Sequence, residues 1–225
     1  MKSAESLATD RDQVWRAIDV QRTSLTVLLD NISDDEWRQP SLCAGWTVRD
    51  VAAHLTMQQL RFGDVLSMMG TWRGSLDRTT QHVARLRAAE LTTDQIIAKI
   101  GSRRHNFGVT YLETLCDILV HSQDIAIPLG RRLDMAPDAA AISASRVLSM
   151  RWPPPLPSTR KVAAFRLTAT DTSWSAGDGP EVRGPMAALL LVCCGRLAAL
   201  PQLSGDGAAD LAARLSAPTP TRRTS

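Results

Sequence analysis

Apolar positions recur with a helical period through the first two thirds of the chain and with a strand period only after that. Val14, Ala17, Ile18, Leu25, Leu28, Leu29 and Ile32 fall near i, i+3 and i+4. The stretch from about Asp10 to Ile32 therefore reads as a helix, closed by Asn31-Ile32-Ser33-Asp34. Pro40 and Gly45 interrupt the pattern and mark an ordered loop. Thr47 with Asp50 three residues on makes a capping box, which starts a helix at Val48 expected to run to near Met69. After the break at Gly70 to Gly74, Leu76 to Glu90 predicts a third helix with Val83 and Leu86 inward. Thr93 caps a shorter one from Asp94 to about Arg104, with Ile96, Ile97 and Ile100 inward. The stretch Phe107 to Gly130 and the Ala-rich Asp138 to Met150 add two more, giving an up-and-down helical bundle that ends near Arg151.

Trp152-Pro153-Pro154-Pro155-Leu156-Pro157 cannot continue a helix and reads as a stiff linker. Beyond it, Lys161 to Thr170 alternates as a half-buried strand, Thr172 to Ala176 gives a second, and Glu181-Val182-Arg183 a third after the turn Gly177-Asp178-Gly179. Gly184-Pro185 opens an apolar helix and GDGAADLAARL gives another. The expected fold is mainly α: a four-helix bundle over residues 1–151, a small α+β domain over 158–216, and a disordered tail over 217–225.

Composition narrows the function classes. The net charge is only +3, with basic residues scattered and a single Tyr, so nucleic-acid binding is not indicated. MKSAESLATDRD has no apolar core and the longest apolar run, Met186 to Cys194, is too short to span a bilayer. A cytoplasmic protein without a membrane partner is expected. Cys43, Cys116, Cys193 and Cys194 form no CxxC pair and read as small hydrophobes without assigned chemistry.

Candidate chemistry concentrates in Phe107 to Gly130. At about 100° per residue, Thr110, Glu113, Thr114, Asp117, His121 and Asp124 share one stripe, and Asp117 and His121 are i, i+4 neighbours able to offer two ligands to one metal ion. By spacing alone, the wet face of an amphipathic helix is the commoner reading. Yet no Lys or Arg occurs from His105 to Gly130, and three carboxylates without local cations suit a buried cation better than a solvated face. His54, among Val51, Ala52, Leu55 and Met57, is by itself more often a core histidine than a ligand. His82 and His105, among polar residues, read as surface histidines.

The segments GWTVRDVAAHL, DILVHSQDIAIPLG and ATDTSWSAGDGPEVRGPMAALLLVCCGRLAAL, in this order and spacing, resemble the mycothiol-dependent maleylpyruvate isomerase family. The resemblance implies a DinB-like metal-binding four-helix bundle followed by a small sterol-carrier-like domain. It also implies a divalent metal, usually zinc, on His54, Asp117 and His121. The isomerase carries Glu where this chain has Asp117, one methylene shorter, which calls for a metal closer to that helix. Asp124 orients a ligand imidazole, faces the cavity, or is a plain surface Asp. An Arg of the C-terminal domain binds the acidic substrate in the isomerase, with Arg196 the first match here and Arg183 the second.

Two imidazoles and one carboxylate leave coordination positions open, as in catalytic rather than structural zinc sites. An open Zn²⁺ can bind a low-molecular-weight thiol as thiolate. The expected enzyme uses mycothiol as cosubstrate for S-transfer to, or cis-trans isomerisation of, a small electrophile. The alternative is a non-catalytic metal or metabolite-binding regulatory module on the same scaffold. The electrophile, the metal's identity and the choice between monomer and homodimer stay open.

Overall fold

Helix α1 (Arg11–Asp30) turns Val14, Ile18, Leu25 and Leu29 into a core, all 1% exposed or less, as its apolar period requires. A computed structural model of the chain describes residues 11–59, 76–102, 110–150 and 156–217. It divides into two compact units, Met1–Asp134 and Met135–Ser225. In the first, α1 is followed by α2 (Asp34–Arg38), α3 (Val48–Leu55) with a 3-10 turn at Thr56–Gln59, α4 (Leu76–Glu90), α5 (Thr93–Gly101) and α6 (Tyr111–Ala126). Helix α3 packs against α4, α5 and α6, and α1 against α5 and α6. The two helices carrying His54 and Asp117/His121 are therefore direct neighbours.

Local chemistry sets these boundaries. The Thr47 side chain accepts from the Asp50 amide while the Asp50 carboxylate accepts from the Thr47 amide, so α3 begins at Val48 as the capping box predicts. Helix α2, not expected from the apolar period, is set by a second capping box between Ser33 and Glu36. Thr92, one residue before the expected cap, starts α5. On α4 the inner stripe is Thr79, Val83, Ala84 and Ala88, whereas Leu86 is 43% exposed. The expectation for Leu86 is corrected: Ala84 and Ala88 face the core instead. The expected continuation of the second helix to Met69, the end of the fourth at Arg104, and His105 lie outside the described residues.

The second unit comprises α7 (Pro137–Ser149), α8 (Pro157–Val162), β1 (Arg166–Ala169), β2 (Ser175–Ala176), β3 (Glu181–Gly184), α9 (Met186–Cys193) and α10 (Ala208–Ser216). The sheet order is β2-β1-β3, with β2 antiparallel and β3 parallel to β1. The parallel register pairs Leu167 with Val182. Gly177 and Gly179 take positive φ in the connection to β3, where a Cβ would collide with the carbonyl oxygens of Phe165 and Ala164. Helix α9 is apolar all round and almost wholly buried, so it needs cover on several sides.

Helix α7 is part of that cover: it packs on α9 with Ala139, Ala140 and Ala144 buried. Trp174 Nε1 donates to Ser145 Oγ, and Thr172 Oγ1 to Asp138, tying α7 to the β1–β2 connection. The Ala-rich helix thus belongs to the C-terminal unit rather than closing the bundle at Arg151. Pro157, with its fixed φ, opens α8 instead of ending a linker, which shortens the strand expected from Lys161 to Arg166–Ala169. Residues 151–155 of the expected linker and 218–225 of the expected tail lie outside the described residues. No described helix is long and apolar enough to cross a membrane. A helical domain followed by a small α+β domain is the fold class the sequence predicts.

Candidate metal centre

Helix α3 carries His54 two turns after its capped start, and α6, N-capped by Thr110, carries Asp117 and His121 on successive turns facing it. His54 Nε2 lies 3.4 Å and His121 Nε2 3.2 Å from the same oxygen, Asp117 Oδ1. The two imidazole rings stand at 78° with centroids 4.8 Å apart. One ligating atom from each of His54, Asp117 and His121 lies within 4.8 Å of the others. Donors about 2 Å from a common tetrahedral ion are about 3.3 Å apart, so the three side chains fit a first-row divalent cation. Their side chains retain 16%, 29% and 15% of their exposure, which leaves the centre reachable from solvent.

The far edge of His121 is held as firmly as the near one. Its Nδ1 is 2.8 Å from Asp124 Oδ2, and Asp124 is fully buried. Cys43 Sγ donates to the same Asp124 oxygen at 3.1 Å and lies 3.7 Å from His121 Nδ1. Cys43, His121 and Asp124 make a second group with metal-ligand spacing. His54 is braced differently. Trp46 meets its ring edge-on, with centroids 5.5 Å apart, and His54 Nδ1 is buried without a hydrogen-bond partner among the described residues.

Electrostatics follow from this crowding. Burial opposes ionisation of Asp117, but the charges of His54 and then His121 outweigh it and hold the carboxyl well below the usual range. Burial likewise disfavours a charged His121. Asp117, with help from Asp124 and Cys43, reverses the balance and raises its pKa well above that of a free imidazole. Asp117 and His121 thus favour each other's charged forms, and a cation at the same atoms would compete with the proton on His121.

His54, Asp117, His121 and Asp124 are brought together, with Asp124 behind His121 rather than on the surface. The stripe is otherwise split: Thr114 is buried, while Glu113 pairs with Thr110 in the first turn of α6. Arg183 and Arg196 lie in the second unit. There the Arg183 guanidinium is 3.8 Å from Glu181, and Arg196 donates to the Cys194 carbonyl. His82 is partly buried on α4. Cys193 is the inert buried thiol expected, its pKa pushed far up by burial and by Cys194. Cys43 is the residue the sequence did not single out. Its one signal is its place in the short loop between Pro40 and Gly45, ahead of the helix that carries His54.

Residues 18–99 match the mycothiol maleylpyruvate isomerase N-terminal domain. No curated protein matches the chain by sequence. Among solved structures, a substitution mutant of the mycothiol-dependent maleylpyruvate isomerase superposes with a TM-score of 0.59 at 11% identity, covering 88% of this chain and 93% of that one. A second structure of that isomerase gives 0.50 at 13% identity, covering 83% and 89%. At such identities the superpositions speak for the fold, and the domain match speaks for descent. Residues 18–99 therefore carry the mycothiol maleylpyruvate isomerase N-terminal domain, and the chain as a whole has the fold of the isomerase structures.

Proposed function

We propose that the helical unit binds one divalent metal, zinc in the first instance, through His54, Asp117 and His121, and that the protein is an enzyme acting with a low-molecular-weight thiol, mycothiol, on a small electrophile. The observation that carries this reading is the convergence of two Nε2 atoms from different helices on one carboxylate oxygen. When bound, the metal would supply the Lewis acidity that lowers the pKa of a thiol at neutral pH.

The chain's own residues do the holding. His54 and His121 each present Nε2 to the centre, and Asp117, the most exposed of the three, offers an anionic oxygen between them. Asp124 accepts from His121 Nδ1, which leaves the Nε2 lone pair for the cation. We assign the carboxylate end of an acidic electrophile to Arg196 first and Arg183 second, a role read from the family resemblance. S-transfer and cis-trans isomerisation draw on the same activated thiol.

The test is elemental analysis of chelator-free protein beside H54A and H121A. Near one equivalent of a first-row metal in the parent, lost in both variants, is the expected result. Maleylpyruvate and related conjugated electrophiles are then assayed with mycothiol. A parent that neither carries nor takes up metal overturns the reading.

A further inference from the structure

The loop of residues 39–47 is a closed unit. Pro40 bridges Thr47, the Val48 amide donates to the Gln39 carbonyl, and the Ser41 hydroxyl is held on the carbonyls of Cys43 and Trp46. The Ser41 hydroxyl also accepts from the Cys43 amide. Within this unit, two adjacent residues reach one partner on α6. The Leu42 amide donates to the Asp124 carbonyl at 3.1 Å, and Cys43 Sγ donates to Asp124 Oδ2 at 3.1 Å. The same Oδ2 receives His121 Nδ1 at 2.8 Å. Asp124 is fully buried, so protein contacts, these among them, set the direction of its carboxylate.

We infer that Cys43 is a positioning residue of the metal centre: its thiol fixes the buried Asp124 carboxylate, which in turn fixes the His121 imidazole with Nε2 toward Asp117 and His54. This rests on the metal reading of the preceding subsection. A thiol fits the role physically. A thiol S–H can donate a hydrogen bond, and here its sulfur is 3.1 Å from the Asp124 carboxylate oxygen that also meets His121 Nδ1. The same loop sets Trp46 against His54, so one segment braces both imidazoles.

The test compares the parent with C43A, which removes the donor, and C43S, which restores one. Zinc affinity is measured by competition with a chromophoric chelator, and the ligand field is read from the visible absorption of the Co²⁺-loaded proteins. Outer partners of ligand histidines are worth about 10- to 100-fold in metal affinity. Cys43 acts one bond further out, so C43A is expected to bind about 10-fold more weakly with an altered Co²⁺ spectrum, and C43S to recover most of both. Affinity and spectrum unchanged in C43A overturn the inference while leaving the metal reading intact. Equal losses in C43A and C43S also overturn it, because they show that sulfur packing and not the donor is what matters. A parent that binds neither ion overturns the metal reading and this inference with it.

Discussion

Asp117 is the residue on which the centre turns, because both histidines reach it through a single oxygen. Metal-free, the network should leave a signature in stability against pH. His121 has its pKa raised in the folded state, so it contributes stability fully present below the unfolded value of about 6.5. That contribution is lost as pH rises through the higher folded value. Asp117 has its pKa lowered, so its contribution is present above about pH 4 and is lost as pH falls through the lower folded value. Thermal melts of chelator-treated parent and H121A should therefore differ most in the parent's favour in mildly acidic buffer, and the gap should shrink steadily toward alkaline pH. A gap that widens with pH would show that His121 is held neutral in the fold. Zinc binding near pH 7 should release protons, since the imidazole nitrogen that meets the metal must be unprotonated.

At the scale of elements, the start of α3 decides where His54 falls. Thr47 and Asp50 fix that start reciprocally. Thr47→Ala is expected to cost about 1 kcal/mol in urea unfolding, with Thr47→Ser close to the parent. An unchanged midpoint in the Ala variant would show that the loop before α3, not the cap, sets the register. This element was legible in the sequence because its determinants lie three residues apart. So were Asp117 and His121, one helical turn apart on a cation-free stripe. Helix α2 carried the same kind of cap in Ser33 and Glu36 but has too few residues to show an apolar period. The partnership of Cys43 with Asp124 spans 81 positions, and no periodicity or spacing rule reaches across that distance. The allegiance of α7 was hidden for another reason. An Ala-rich face packs as well in a helical bundle as against α9, and only the all-round burial of α9 decides between them.

At the scale of the whole molecule, the chain has two units, each with its own core, and the proposed metal centre uses side chains of the first alone. The first core is built from α1, α3, α5 and α6; the second from Phe165, Leu167, Val182 and the apolar helix α9. A ligand that binds only the folded form stabilises what it binds, by about 2.7 kcal/mol at a hundredfold excess over Kd. Calorimetry of the intact chain should therefore show zinc raising the melting of the helical unit, with the effect absent in H121A. If the units unfold separately, one transition should move and the other stay. If they unfold together, a single transition should move, and its calorimetric and van't Hoff enthalpies should agree. Zinc that shifts the parent and H121A alike would place the binding elsewhere, because removing His121 takes away one of the three donors on which the centre depends.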